Sequence, residues 1–445
     1  MSRRKGNFLR HFTIGVPKEE AFDELEEMQT EKYVKAYEDA EGNAGFKKGL
    51  FTGLCIGIFV MFLTAFLLKD KGFIRTTTMP ASKDYSKLEK RILNKVGTLE
   101  EYISNYFLDE IDDDKMADSV YKGVIDGLGD EYAAYYTEEE FKTIQEKNSG
   151  VYCGIGAYID TDKETGLVKI IKPMSGSPIE KAGGKAGDLI YKVDGTDMSG
   201  KEISEVQVLI KGEKGTKVVL TLIRDKKTVE VTVTRDEIKE DTVASTMLPG
   251  KIGYIQVTGF EEVTQTQFKK AVDDLEKQDQ KAMIIDLRNN GGGLLDSAVK
   301  MLDRLIGKGL VVYSKDKAGH KKEYYAEDSD SFDKPLVILV NGNSASASEV
   351  FSGAIQDENV GTLIGTKTFG KGIVQGIFSL DDGSALKMTT AKYYTPKGRN
   401  IHKKGLEPDI EVELKEGEET LSDGKTRVDN QLKRAYDYLE EKTGK

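Results

Sequence analysis

The sequence predicts a multidomain protein of mixed structure, with α+β and α/β regions in one chain. In residues 84–147, apolar residues recur at spacings of three and four, as they do along one face of a helix. Residues 150–235 contain β-branched runs separated by turns of glycine and aspartate, which are typical of strands. After Pro249, predicted strands and amphipathic helices alternate, which indicates a partly parallel sheet covered by helices.

These patterns, together with one apolar segment, set the expected boundaries. We expect a polar N-terminal tail, a transmembrane helix, a helical region, a strand-rich domain, a strand-and-helix core and a C-terminal helix. Their predicted ranges are residues 1–48, 49–68, 83–148, 149–236, 237–420 and 421–445, in that order. Residues 72–82 are predicted to be a linker.

The apolar segment, residues 49–68 (GLFTGLCIGIFVMFLTAFLL), contains 20 residues without a charge. That length is sufficient for one helix to cross the hydrocarbon core of a bilayer. The alternatives are a signal peptide, which has a shorter apolar region and a cleavage site, and a buried core helix, which rarely lacks charge over this length. We therefore predict an uncleaved membrane anchor. Lysines flank both ends, so charge alone leaves the orientation open.

Composition excludes several classes of protein. The net charge is −11 and no basic face stands out, which argues against nucleic acid as a partner. The two cysteines are Cys55, inside the apolar segment, and Cys153, so we expect no disulfide. The sequence has no H-E-x-x-H motif and no paired-cysteine pattern, so we predict neither a metal nor a cofactor.

Three alternating serines, Ser344, Ser346 and Ser348, lie between a predicted strand at residues 336–340 and a predicted helix at residues 350–356. A serine hydroxyl is a weak nucleophile until a neighbouring base takes its proton, and the start of a helix favours developing negative charge. A serine at a helix start is, however, most often an N-cap, and Ser344 is a candidate for that role. The spacing alone does not separate the three.

Lys371 is the candidate base, because a lysine amine can take a proton if burial lowers its pKa. If a strand begins near Ile373, then Lys371, Ile373 and Gln375 share one face, and Gln375 could hold the amine in place. The alternative is a solvent-exposed turn lysine between two glycines. Two histidines, His320 and His402, follow the apolar segment, and neither has an acidic partner by motif, which argues against a Ser-His-Asp triad.

A glycine-rich loop, residues 286–295 (DLRNNGGGLL), joins a predicted strand to a predicted helix. Consecutive glycines let the backbone approach a bound group and present N–H donors, as an oxyanion hole requires. The alternatives are a tight turn or a phosphate loop, but the P-loop and dinucleotide patterns are absent.

Taken in order, these motifs resemble those of the carboxyl-terminal processing peptidases, or tail-specific proteases, which are serine peptidases with a Ser-Lys dyad and an embedded PDZ domain. The resemblance runs from residue 127 to residue 413. The matching segments are residues 129–132 (GDEY), 154–157 (GIGA), 187–190 (GDLI), 193–195 (VDG), 212–216 (GEKGT), 286–295, 344–349 (SASASE), 370–375 (GKGIVQ) and 394–399 (YTPKGR).

The resemblance implies a role for each site residue. Ser346, the middle serine, would be the nucleophile, Lys371 the general base and Gln375 the residue that orients the lysine. Backbone amides near Gly292 and of Ala347 would form the oxyanion hole. The amides of the carboxylate-binding loop (Gly154, Ile155 and Gly156) would bind a peptide terminus.

The family pattern also implies a crotonase-like (ClpP/crotonase-type) core at residues 237–420, a PDZ domain at residues 149–236, and protein substrates with free apolar C-termini. Three positions depart from it: Glu131 and Gly291 replace common prolines, and Lys211 replaces an arginine of many relatives.

The leading hypothesis is therefore a single-pass, membrane-anchored serine endopeptidase whose catalytic part lies outside the cytoplasm. A catalytically silent PDZ scaffold and a crotonase-like acyl-transfer enzyme are the alternatives. The terminal helices could support a homodimer, or they could pack within one monomer.

Overall fold

The structure, a computed structural model, describes residues 85–327 and 331–444. The chain divides into two compact units after Ala117. Helix α1 (Tyr85–Tyr106) belongs to the first unit, and α2 (Asp113–Asp126) begins there and ends in the second. Within the described ranges, no helix is long and apolar enough to cross a membrane. The predicted tail and transmembrane helix, residues 1–48 and 49–68, lie outside the described residues.

After the end of α2, the second unit continues with a strand, a capped helix and a small antiparallel domain. The elements are β1 (Ala134–Tyr136), α3 (Glu138–Ser149), β2 (Val151–Gly154), β3 (Ala157–Thr161), β4 (Val168–Pro173), α4 (Pro178–Lys181), β5 (Leu189–Val193), β6 (Thr196–Asp197), α5 (Ile203–Ile210), β7 (Lys217–Arg224), β8 (Lys227–Thr234) and β9 (Asp236–Lys239). Helix α3 starts in a capping box: Thr137 Oγ1 accepts from Glu140 N, and the Glu140 carboxylate accepts from Thr137 N.

The strands of this small domain follow the order β3-β4-β5-β7-β8, with β6 paired to β5, and β2 pairs with β9 in a separate ribbon. Alternate side chains of β7 and β8 point into a closed apolar core, as the period of two requires. Strand β3 stands at the edge of the sheet with α5 beside it, so one edge is available for pairing.

The larger part of the second unit contains the remaining elements. They are β10 (Val243–Leu248), a 3-10 turn (Pro249–Lys251), β11 (Ile252–Val257), α6 (Glu262–Glu276), β12 (Ala282–Asp286), α7 (Leu295–Ile306), β13 (Gly309–Asp316), β14 (Lys321–Ala326), β15 (Leu336–Val340), α8 (Ala347–Asp357), β16 (Thr362–Gly365), β17 (Ile373–Ser379), β18 (Ala385–Tyr394), β19 (Ile410–Glu411), β20 (Glu419–Thr420), β21 (Arg427–Val428) and α9 (Asn430–Thr443).

Its main sheet has the order β10-β11-β12-β15-β16-β19, and every pair except β10-β11 is parallel. Strands β12 and β15 are buried along their whole length, as strands covered on both faces are. Helices α6, α7 and α8 pack on one face and α9 on the other. The predicted partly parallel sheet covered by helices is therefore confirmed.

A second, antiparallel sheet has the order β1-β18-β13-β14, and β17 also pairs with β18. Because β17 begins two residues after Lys371, this sheet positions the candidate base. The nucleophile segment instead lies between β15 and α8 of the main sheet. The candidate site therefore draws on both sheets.

Candidate active site

The structure separates the three candidate serines. Ser344 and Ser348 are fully buried, and each hydroxyl donates to a carbonyl of the glycine-rich loop. Ser344 Oγ donates to Leu287 O at 2.8 Å, and Ser348 Oγ donates to Asn290 O at 2.8 Å. Both hydroxyls therefore hold the loop in place. Ser346 is the only one of the three that is not buried.

Ser346 has an unusual backbone conformation. Its φ is 55° and its ψ is −113°, and α8 begins at the next residue. A non-glycine residue in this sparsely populated region costs about 1–3 kcal/mol, and residues strained in this way cluster at active sites. Ser346, rather than Ser344, occupies the position that precedes the helix.

Glu349 joins the nucleophile segment to the lysine segment. Its carboxylate is fully buried and accepts from Ser346 N at 3.0 Å, Thr368 Oγ1 at 2.6 Å, Gly370 N at 2.8 Å and Lys371 N at 2.7 Å. The bonds to Ser346 and Lys371 use the same oxygen atom, so these two main-chain nitrogens lie close together. The structure therefore brings the candidate nucleophile and base segments to one place.

Sequence reasoning missed the role of Glu349. The available signal was the spacing of Ser346 and Glu349, which is that of a capping box before a helix. The other three donors to Glu349, which are Thr368, Gly370 and Lys371, follow it by 19 to 22 residues, and spacing cannot reveal such contacts.

Lys371 is half-buried, and its amine lies over an aromatic ring: Nζ is 4.4 Å from the centroid of Tyr132. Burial lowers the pKa of the Lys371 ammonium below its ordinary value, and the neighbouring Lys387 lowers it further. Glu131 and Asp130 act in the opposite direction on that pKa. The net shift favours the neutral amine that a general base requires.

Gln375 lies on β17, but the strand has a register shift between Val374 and Gln375. A shift of this kind interrupts the alternation of side chains, so the simple rule that Lys371, Ile373 and Gln375 share a face does not carry through to Gln375. Among the described residues, Gln375 Nε2 is buried without a hydrogen-bond partner. The structure thus places Gln375 in the neighbouring strand but shows no bond between it and Lys371.

The glycine-rich loop packs directly on the nucleophile. A side chain at Gly292, which has a φ of +101°, would meet Ala345 O at 2.7 Å and Ser346 Cβ at 2.9 Å, so only glycine fits. The Gly292 N–H itself donates to Asn290 Oδ1 at 2.8 Å. Ala347 N lies beside Gly292 and donates to no group within the described ranges.

The same loop is fixed at its base by a buried charge network. Arg288 donates to Asp286 at 2.7 Å, and Tyr254 donates to the same carboxylate at 2.9 Å. Arg288 also donates to Asp429 and to Gln431, both at 2.9 Å, at the start of α9. The loop is therefore tied to the main sheet and to the C-terminal helix.

The predicted peptide-binding residues line a groove of about 500 Å³. The main-chain N–H groups of Ile155 and Gly156 donate to no group in the part of the chain that the structure describes. Gly156 has a φ of +74°, and a side chain there would meet Ser177 Cβ at 2.6 Å. Ile159 of the edge strand β3 and Ile210 of α5 line the same groove.

One cationic side chain, Lys211, and one anionic side chain, Glu146, also border this groove. Lys211 Nζ lies 3.4 Å from Glu146 Oε2 of α3 and 4.9 Å from the centroid of the Tyr152 ring. Lys211, the departure noted in the sequence, therefore lies within the groove.

The histidines do not form a triad in the described residues. His320 pairs with Asp316 at 2.9 Å in the turn between β13 and β14, so the expectation that it has no acidic partner is wrong, but no serine joins the pair. The main-chain N–H of His402 donates to Asn400 Oδ1 at 3.1 Å, and its ring Nδ1 is buried without a partner among the described residues. Within those residues, no cluster of side chains is suited to hold a metal ion.

We expect Glu349→Gln to weaken both folding and catalysis. The carboxylate now accepts hydrogen bonds from four donors, and the amide nitrogen of glutamine would face some of them without being able to accept. The free energy of unfolding should therefore fall by about 2–4 kcal/mol. Cleavage should fall by roughly 10²-fold or more, because the Ser346 and Lys371 segments lose their common acceptor. Denaturant unfolding and kcat/KM measure the two effects. Glu358→Gln, an exposed position at the end of the same helix, is the control, and equal behaviour of the two variants would contradict this role.

The glycine-rich loop packed on Ser346, the strained serine and the half-buried lysine define a serine peptidase core, and the small domain with its open edge strand defines a peptide-binding module. The family model "Peptidase family S41" matches residues 251–412, and the model "PDZ domain" matches residues 154–234. The chain belongs to peptidase family S41 and contains a PDZ domain.

The chain is also similar to individual proteins. The chain is 39% identical over 369 residues to the "Carboxy-terminal processing protease CtpA" of Bacillus subtilis (strain 168), covering 82% of this chain and 77% of that protein. It is 38% identical over 332 residues to the "Probable CtpA-like serine protease" of Staphylococcus aureus (strain N315), covering 74% of this chain and 66% of that protein. Among solved structures, the "Photosystem II D1 C-terminal processing protease" matches 71% of this chain and 85% of its own at 31% identity, with a TM-score of 0.43.

Proposed function

We propose that this protein is a membrane-anchored serine endopeptidase that cleaves extracytoplasmic proteins and recognises their apolar C-terminal tails through its PDZ domain. The observation that carries the proposal is the Glu349 carboxylate, which joins the Ser346 and Lys371 segments at the mouth of the glycine-rich loop.

The chemistry follows from these positions. The neutral Lys371 amine takes the Ser346 hydroxyl proton while Oγ attacks the carbonyl carbon of the scissile peptide bond. The resulting oxyanion accepts from the Ala347 N–H, and a fixed donor of this kind stabilises the transition state by roughly a few kcal/mol. The Gly292 N–H would join it only after leaving Asn290 Oδ1. The Lys371 ammonium then returns its proton to the leaving amine. Water, deprotonated by the same amine, hydrolyses the acyl-enzyme and restores Ser346.

Tail recognition is supported by the carboxylate-binding loop and the edge strand beside it. The free amides of Ile155 and Gly156 suit a terminal carboxylate, and an extended tail could add a strand to β3. Ile159 and Ile210 give the groove an apolar lining, which favours apolar side chains in the tail.

The anchor rests on residues 49–68, and the extracytoplasmic location rests on the family resemblance. The parallel sheet with helices on both faces supports a crotonase-like core. A homodimer through the terminal helices belongs to the same proposal.

A pair of unfolded substrates with identical bodies tests tail recognition in the full chain. One ends in an apolar free carboxyl tail and the other in an acidic tail, and we expect the apolar tail to raise kcat/KM by about 10-fold, a little over 1 kcal/mol. Ile159→Glu, within the groove, should remove this preference. Val208→Glu, on the exposed side of α5, is the matched control and should keep it.

Equal cleavage of the two tails by the unmodified chain would contradict PDZ recognition. Tight binding of the apolar tail without cleavage of either substrate would instead support the silent scaffold.

A further inference from the structure

The Lys371 amine has a partner that the proton-transfer step does not use. Its Nζ lies 4.4 Å from the centroid of the Tyr132 ring, within the range of a cation–π contact. Tyr132 comes from the segment before the PDZ domain, far from the dyad in sequence. A cation over an aromatic face is attracted, whereas a neutral amine gains little from the same position.

The segment that carries Tyr132 is fixed to the sheet next to the lysine. Asp130 Oδ1 accepts from Tyr132 N at 3.0 Å, and Asp130 Oδ2 accepts from Thr389 N at 2.9 Å on β18. Strand β1 follows at once and pairs with β18, with Ala134 opposite Lys387. The backbone of this segment therefore fixes the position of the Tyr132 ring over the amine.

The groups expected to engage the amine are not bonded to it. Among the described residues, no hydrogen bond joins the Ser346 hydroxyl to Lys371. Gln375 Nε2 and the hydroxyl of Thr389, which face each other in the β17-β18 register, are both buried without partners. In the part of the chain that the structure describes, Lys371 Nζ therefore contacts the Tyr132 ring instead of a hydrogen-bond partner.

The titratable groups around the amine come from four elements. Asp130 and Glu131 lie on the Tyr132 segment, Lys387 lies on β18, and the Glu349 carboxylate of α8 is already satisfied by its four donors. His402 belongs to a loop that packs against Gly372, where a side chain would meet its main-chain nitrogen at 2.4 Å.

We propose that Tyr132 is a positioning residue of the dyad: its ring holds the Lys371 ammonium in a resting place, and the lysine reaches Ser346 when it leaves the ring as a neutral amine. This inference rests on the proposed function. The segment before the PDZ domain would then regulate the base, because any movement of that segment changes how readily the Tyr132 ring releases the lysine.

The test is the pH dependence of the reaction, measured on the full chain as kcat/KM and as the rate of labelling by a fluorophosphonate. Activity rises with pH as Lys371 loses its proton, and the ring favours the protonated form. Tyr132→Leu should therefore move the acid limb of both profiles to lower pH by about 0.4–1.5 units, the shift that corresponds to a cation–π contact. Tyr132→Phe retains the ring and should keep the limb in place, and Tyr132→Trp should move it to higher pH.

Two further variants make the result specific. Tyr135→Leu, three residues along and in contact with Tyr121, removes a tyrosine that does not face the lysine and should leave the limb unmoved. Glu131→Gln keeps the ring but removes a charge that raises the pKa of Lys371, so Tyr132→Leu should still shift the limb when it is added to Glu131→Gln.

Superimposed limbs for Tyr132→Leu and the unmodified chain would overturn the inference, as would loss of the Tyr132→Leu shift in the Glu131→Gln background. Acid unfolding of a destabilised variant would move its limb to higher pH, opposite to the shift expected for Tyr132→Leu, so unfolding cannot imitate the result. Absence of both cleavage and labelling in the unmodified chain would contradict the proposed function instead, so the two failures are distinguishable.

Discussion

Ser346→Ala is expected to reduce peptide cleavage by roughly 10⁴- to 10⁶-fold, the scale at which serine peptidases lose activity without their nucleophile. The hydroxyl that would form the acyl-enzyme is removed, while the glycine loop and the Glu349 bonds remain. The residue is not part of the packed core, so the free energy of unfolding should change little, and relief of the positive φ is not expected since alanine disfavours it equally. The measurement is kcat/KM on an unfolded protein with an apolar tail.

Ser344→Ala is the matched control for this prediction. Its hydroxyl is bonded to Leu287 O, so its removal should cost about 1–3 kcal/mol of stability with a much smaller loss of activity in the folded fraction. Full cleavage by the Ser346 variant, or an equally large catalytic loss from Ser344→Ala at unchanged folding, would contradict the choice of nucleophile.

Lys371→Met is expected to lower cleavage by at least about 10³-fold, because the serine then has no base to take its proton. Methionine keeps a similar length and fills the half-buried position. The pH profile supplies a second readout: burial lowers the pKa of Lys371, so activity in the unmodified chain should rise as pH increases through that lowered pKa. Residual activity of the variant should lack this limb.

Lys367→Met serves as the control. Lys367 lies four residues before the candidate base, is exposed and is paired with Glu407. Its loss should change neither kcat/KM nor the pH at which activity rises. A variant at Lys371 that keeps the unmodified pH profile would show that another group is the base.

The sequence predicted the parts of the fold whose patterns are local. Residues 336–340 form an uninterrupted aliphatic run, and the structure buries all of β15 between two helical layers. The antiparallel sheet was less predictable, because β13 pairs with β18 and β1 pairs with β18 across long stretches of chain. Such pairings depend on tertiary contacts and leave little trace in spacing. The transmembrane helix at residues 49–68 stays a prediction.

In the candidate site, too, local patterns were predictable from the sequence and long-range contacts were not. The sequence located the serine run, the lysine and the glycine loop, but chemistry alone left three serines open. What distinguishes them is that Ser344 and Ser348 bond to carbonyls of a loop more than 50 residues away. The Tyr132 contact is separated from Lys371 by a whole domain, and only the fold brings the ring to the amine.

Mapping the covalent adduct of a fluorophosphonate on the full chain tests the central claim most directly. Labelled protein is digested and the modified peptide is identified by mass spectrometry, with Ser346→Ala treated in parallel. Modification of Ser346 in the unmodified chain, and none in the variant, is the predicted result. An adduct on Ser344 or Ser348, or labelling of the Ser346 variant at the unmodified rate, would contradict it.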